Sequence, residues 1–205
     1  MIDARLQLAL DGGGLELPAE GTIAVFQPPR DSDLPGLDND RVQIIHDFKP
    51  DYDAWAARGY DVVRTIKDRY AACIVCLPRA KAEARAVIAA ACEVCDGIVV
   101  IDGQKTDGAD SVLREMRDRV TVQGPISKAH GKMFWISEPA AEFFADWRQG
   151  PELTEGGFWT APGVFSADGV DLASALLVDA LPEKLGSEVA DLGAGWGFLS
   201  AHALT

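Results

Sequence analysis

No stretch of the 205 residues approaches the ~20 uncharged apolar residues that a membrane helix needs. The start, Met1 to Leu6, is amphipathic and lacks the basic-then-apolar order of a secretory signal. Both readings point to a cytoplasmic protein. Basic charge is also scarce: 19 Lys and Arg stand against 32 Asp and Glu, a formal net charge of −13. Phosphate contacts supply most non-specific nucleic-acid affinity, and no basic stripe is visible to make them. The stretches 79–85 and 128–132 are basic but short, so the surface reads as solvated and solubilising. There are three histidines, which show no pattern: His46 follows a strand, His130 sits by a turn and His202 lies on the final helix. A hydrophobic share of 48% is ample for a core.

Cysteine is present four times, as two C-x2-C pairs separated by fifteen residues (Cys73, Cys76, Cys92, Cys95). That spacing alone is a zinc signature. Zinc, however, requires four thiolates on one tetrahedron, with each pair on a tight turn. The first pair lies in a continuous apolar run, residues 71–77, that reads as a buried strand, where positions three apart face opposite sides. The second ends an Ala-rich helical stretch. The cysteines are expected to pack as small hydrophobes, and no metal is assigned.

Along the chain, short apolar strands alternate with helices. A helix over residues 3–10 ends at Gly12 to Gly14. Strands follow at 22–26, 42–45, 60–63, 71–77 and 97–101, with helices at 51–58, 79–95 and 111–119, and an antiparallel pair near 120–122 and 132–136. This alternation indicates parallel βαβ units. Residues 1–137 are therefore read as a doubly wound α/β domain, whose final antiparallel pair resembles the hairpin end of a Rossmann-like, methyltransferase-type sheet. They carry no nucleotide fingerprint: Gly12 to Gly14 follow a helix, and the loop 102–108 has glycines five apart, which suits plain turn chemistry as well as a ligand. A linker over 138–160 holds Phe143, Phe144, Trp147, Phe158 and Trp159 and reads as inter-domain glue more readily than as a base-stacking platform.

The chemistry sits near the end. A strand is predicted over 188–191, running into Leu192-Gly-Ala-Gly-Trp-Gly197, and a helix opens at Phe198. Strand, glycine loop, helix is the context of a cofactor loop. Glycines let the backbone approach a ligand at positive φ, and the helix start offers free N–H groups. A dinucleotide loop, G-x-G-x-x-G, would need glycine at 198, where Phe198 stands. The motif here is D-x-G-x-G-x-G. Its leading carboxylate, Asp191, suits the cationic amino-acid end of S-adenosylmethionine better than a pyrophosphate. A dinucleotide site and a purely structural turn are the competing readings.

Taken together, Thr160-Ala-Pro-Gly-Val-Phe-Ser166, Asp168-Gly-Val-Asp171, Ser174-Ala-Leu-Leu177 and Asp191 to Ser200 resemble the RsmC-type ribosomal RNA guanine-N2 methyltransferases. Cys76-Leu-Pro-Arg79 and Ala129-His-Gly-Lys132 with Phe134-Trp135 are similar to that family's first domain. The resemblance implies two methyltransferase-like domains in tandem, the first degenerate, the second starting at about residue 161 and catalytic. It further implies that Asp191, Gly193, Ala194, Gly195 and Gly197 line the cofactor, with Phe165 and Ser166 closing over it. Ser166 and Asp168 serve equally well as turn or cap residues.

Only eight residues follow Gly197. The acidic strand residue that would hold the ribose, and the family's Asn-Pro-Pro-Phe type motif that would position the target amine, are not among them. No catalytic residue is assigned. The expectation is a fragment holding the first βα unit of the second domain, inactive alone, with ribosomal RNA bound through residues outside it and its incomplete last unit a candidate for self-association. Two alternatives remain: a non-catalytic interaction or scaffold domain, and a small-molecule methyltransferase.

Overall fold

Apolar, β-branched runs form the centre of the fold. In the computed structural model, which describes residues 2–139, 141–182 and 184–204, the chain divides into two compact units, 1–148 and 149–205. The first begins with helix α1 (Ile2–Leu10), which buries Ile2, Arg5, Leu6 and Ala9 along one helical face. A glycine turn ends it: the Gly13 N–H donates to the Leu8 carbonyl at 3.0 Å, and a Cβ on Gly13 would lie 2.7 Å from the Ala9 Cα.

Strand β1 (Ile23–Phe26) is buried throughout, as is most of β2 (Val42–Ile45). Helix α2 (Lys49–Ala57) starts with Pro50 in its first turn, where the missing N–H is no loss. Strands β3 (Asp61–Val63) and β4 (Tyr70–Cys76), helix α3 (Lys81–Val94) and strand β5 (Cys95–Gln104) complete the parallel part. Helix α4 (Ala109–Arg117) then leads to β6 (Gln123–Lys128) and β7 (Gly131–Ile136).

The strand order is β3-β2-β1-β4-β5-β7-β6, parallel from β3 to β5, with β7 antiparallel between β5 and β6. This is the methyltransferase-type doubly wound sheet expected from the sequence. The last pair differs in position. The strand expected at 120–122 is instead Gln123–Lys128, an edge strand with no fully buried residue. Val120 and Val122 pack from the side against the core instead.

Both sheet faces are covered. Ile88 of α3, Met116 of α4, Phe144 and Trp147 pack on one face with Cys73 and Val75. On the other, Leu6 of α1 and Trp55 of α2 pack with Ile74 and Cys76. Alternate residues of β4 thus feed opposite cores. A 3-10 helix, Ala141–Trp147, carries Phe144 and Trp147 into the first unit, with ring centroids 5.2 Å apart.

The second unit contains a small hairpin, β8 (Glu152–Leu153) and β9 (Trp159–Thr160), then helices α5 (Leu172–Ala180) and α6 (Phe198–Ala203). Residues 188–191, expected as a strand, form none. A strand exists only where a ladder partner supplies hydrogen bonds. Among the described residues of this unit the sole ladder is β8–β9.

Candidate functional site

The glycine loop is built from backbone that only glycine adopts readily. Gly193, Gly195 and Gly197 have φ of 80°, 58° and 89°. A Cβ on Gly193 or Gly197 would meet no atom within 4 Å, so conformation, not crowding, demands glycine there. The loop closes on itself: the Gly197 N–H donates to the Ala194 carbonyl at 2.9 Å, and Gly197 then caps α6.

Asp191 reaches across this bend. Its Oδ2 accepts from the Ser200 hydroxyl at 2.7 Å, joining the residue two before the first glycine to the third residue of α6. The second carboxylate oxygen makes no hydrogen bond among the described residues and can accept from a cationic donor. Ser200 ends the Asp191–Ser200 motif, and its residue type alone assigns it no role. The signal that could have found it is spacing: the third position of a helix opening at Phe198 lies back over the loop.

Aromatic packing holds the loop from the other side. Trp196, between two glycines, packs with tilted rings 4.8 Å from Phe158 and 5.6 Å from Phe198, which in turn lies 4.5 Å from the His202 ring. His202 Nδ1 lies 3.0 Å from the Phe198 carbonyl. The aromatics between 143 and 159 therefore do not act as one cluster: Phe144 and Trp147 serve the first unit's core, and Phe158 serves the glycine loop.

The segment 160–171 forms a compact loop of its own. Thr160 is buried and donates to the Ala167 carbonyl at 3.0 Å, and Ser166, at φ 55°, donates to the Gly169 carbonyl at 2.7 Å. Phe165 at its tip is 71% exposed. Asp171 caps α5, accepting from the Ser174 N–H at 2.9 Å. Ser166 is thus a turn residue and Asp171 the cap.

In the first unit the position outside the carboxyl ends of β1, β4 and β5, where doubly wound sheets take ligands, is largely filled. Gln27-Pro28-Pro29 follow β1, with no glycine among them, and the Trp55 indole donates to the Pro28 carbonyl at 2.8 Å. Arg5 and Asp102 meet there, leaving a cavity of about 220 Å³. That is below the ~300 Å³ at which small-molecule pockets begin.

The four cysteines are buried free thiols. Cys73 packs in one core and Cys76 in the other, so the first C-x2-C pair points to opposite faces of the sheet, as strand geometry requires. A hydrogen bond to Cys95 and burial raise the Cys73 thiol, and burial pushes Cys92 up to about 12. Among the described residues, no group of three or more His, Cys, Asp or Glu could hold a metal. No described helix is long and apolar enough to cross a membrane.

Residues 155–205 match the Methyltransferase small domain family. The chain is 30% identical over 105 residues to a ribosomal RNA small subunit methyltransferase C from Serratia proteamaculans (strain 568), covering 50% of this chain and 30% of the relative. It is 39% identical over 72 residues to the same-named protein of Sodalis glossinidius (strain morsitans), covering 35% of this chain and 20% of the relative. The chain thus spans less than a third of the length of these curated relatives. Among solved structures, it superposes with a TM-score of 0.62 and 20% identity on the T. Thermophilus 16S rRNA N2 methyltransferase RsmC, in complex with AdoMet and guanosine. That match covers 87% of this chain and 52% of the other.

Proposed function

We propose that the chain is the N-terminal part of an S-adenosylmethionine-dependent methyltransferase of the RsmC type, acting on the exocyclic N2 of guanine in small-subunit ribosomal RNA. The observation that carries this is the Asp191–Gly197 bend, with three glycines at positive φ and a carboxylate clasped to Ser200. The sequence likeness to two small subunit methyltransferase C proteins supports the substrate class.

The residues fit the cofactor. Gly193, Ala194, Gly195 and Gly197 would bring bare backbone against its methionine portion, and Asp191 would accept from its α-ammonium group by a charge-assisted hydrogen bond. Phe165, exposed at its loop tip, and Ser166 beside it would close over the ligand. When bound, the cofactor supplies an electrophilic methyl on a sulfonium. The backbone of the bend and Asp191 do the holding; α6, with six residues, adds little dipole of its own.

In this reading residues 1–137 are a degenerate methyltransferase-like domain, 138–160 a linker and 161–205 the opening of the cofactor domain, in a cytoplasmic protein. The filled position at the ends of β1, β4 and β5 supports a supporting or scaffold role for the first domain. The 205-residue chain alone transfers no methyl group. Exposed Leu172 and Leu176, one turn apart on α5, support self-association of the isolated chain.

The test compares this chain with one extended to the length of its relatives, each incubated with labelled S-adenosylmethionine and small-subunit RNA lacking guanine methylation. The extended protein is expected to label guanine N2 and the 205-residue chain to label nothing. Transfer to small molecules but not to RNA would overturn the substrate class.

A further inference from the structure

In the first unit, at the sheet end where β5 and the β6–β7 hairpin meet, three lysines separated in sequence come together around one cavity of about 490 Å³. Lys105 follows the last residue of β5, Lys128 ends β6 and Lys132 is the second residue of β7. The ladder sets their spacing. Gly103 pairs with Lys132, Gln104 with Gly131 and Lys128 with Gly131, while the Lys105 N–H donates to the His130 carbonyl at 2.9 Å.

The first turn of α4 lines the same cavity through Ala109 and Asp110, and its cap, Gly108 at φ 81°, offers no side chain to its amides. Asp110 is the one carboxylate among the lining residues, and Lys132 neutralises it at 2.5 Å. Lys105 and Lys128 are exposed and form no ion pair among the described residues. On a chain of net charge −13, three lysines against one carboxylate is a local reversal of sign.

The arrangement is rigid. The buried Arg5 guanidinium grips Asp102 at the end of β5 with two bonds and donates a third, at 2.9 Å, to the Lys128 carbonyl, fixing the hairpin to the sheet. A Cβ on Gly131 would collide with the Arg5 guanidinium and stand 2.7 Å from the Gly103 carbonyl, so the hairpin cannot lift without breaking this packing. Cations carried on a fixed backbone around an open concavity suit repeated phosphates, since the chain entropy of ordering the backbone that carries the lysines has already been met on folding.

We infer that this surface is a contact site for the phosphate backbone of RNA, through Lys105, Lys128 and Lys132. It rests on the RNA substrate proposed above and assigns to the first domain a share of substrate affinity. Contacts of this kind position the substrate and read no sequence.

The experiment is fluorescence anisotropy of the 205-residue chain with a labelled hairpin RNA over a salt series. It compares wild type with Lys105→Gln/Lys128→Gln/Lys132→Gln and with a charge-matched control at the opposite sheet edge, Lys49→Gln/Arg64→Gln/Lys67→Gln. The hairpin variant is expected to bind at least about tenfold more weakly at low salt, with the slope of log affinity against log salt reduced by about 2. The control should stay near wild type, and melting curves of all three should superimpose. Equal losses in both variants, no loss in the hairpin variant, or no RNA binding by wild type would each overturn the site. None of these depends on methyl transfer, so the RNA methylation assay fails or succeeds separately.

Discussion

Arg5 and Asp102, 97 residues apart in the chain, form a forked ion pair with Nε–Oδ1 and Nη2–Oδ2 distances of 2.5 and 2.8 Å. Their side chains are 1% and 6% exposed. Burial pushes the Asp102 carboxyl up, against the pull of Arg5. Removing one partner leaves a buried charge without its mate, which typically costs about 3–5 kcal/mol. Asp102→Asn is therefore expected to destabilise the first unit by that amount in urea unfolding. The double variant Arg5→Met/Asp102→Leu should lose much less, and equal losses in the two variants would contradict this account.

Glu115 on α4 gathers three donors from its surroundings. It accepts from Lys81 at 2.6 Å, Arg85 at 2.7 Å and Ser111 at 3.0 Å. Partial burial raises its carboxyl, but these hydrogen bonds more than offset that and bring it to about 2, from an ordinary 4.5. A depressed folded value means stability that is present above pH 4.5 and lost as pH falls from there towards 2. With allowance for solvent screening, the loss is about 1–3 kcal/mol. Thermal melts from pH 6 to pH 2 should show it, and Glu115→Gln should flatten the curve across that window.

All four thiols are buried: burial pushes Cys76 well above the usual thiol range, and Cys95, which a hydrogen bond with Cys73 lowers, is only 3% exposed. Thiolate is the reactive form. A disulfide reagent at pH 8 is expected to titrate fewer than one thiol per native chain and all four in guanidinium. Rapid modification of a pair in the native protein would mean that the β4 and α3 ends open far more often than their packing implies.

At the glycine loop, Asp191→Asn removes the charge and Ser200→Ala removes only the hydroxyl that orients it. Isothermal titration of the extended protein with S-adenosylmethionine is expected to show at least about a tenfold loss for the first and a smaller one for the second, as a charge-assisted bond is worth roughly twice a neutral one. The 205-residue chain itself should show no saturable micromolar binding.

Much of the sheet was legible because its signals are local. The apolar runs of β1, β2, β4 and β5 are buried on both faces and read as continuous hydrophobic stretches. Strand β6 was not, since an edge strand with no fully buried residue leaves no apolar period, and nearby Val120 and Val122 supplied a false one. Residues 188–191 had the composition of a strand without a ladder partner in the second unit. The glycine bend was legible because positive φ is a property of single residues. Its clasp by Ser200 was not, because that bond exists only once α6 has turned the hydroxyl back over the loop.

By itself, then, the sequence determined the alternation of strands and helices, the burial of the cysteines and the place of the glycine bend, all of which depend on neighbours within a few positions. Tertiary structure alone decided the Arg5–Asp102 pair, the filling of the first unit's ligand position and the meeting of Lys105 with Lys128 and Lys132. Those encounters follow from strand order. Placing β7 between β5 and β6 brings together side chains whose attraction acts over a few ångströms, and no local pattern encodes which strands will be neighbours.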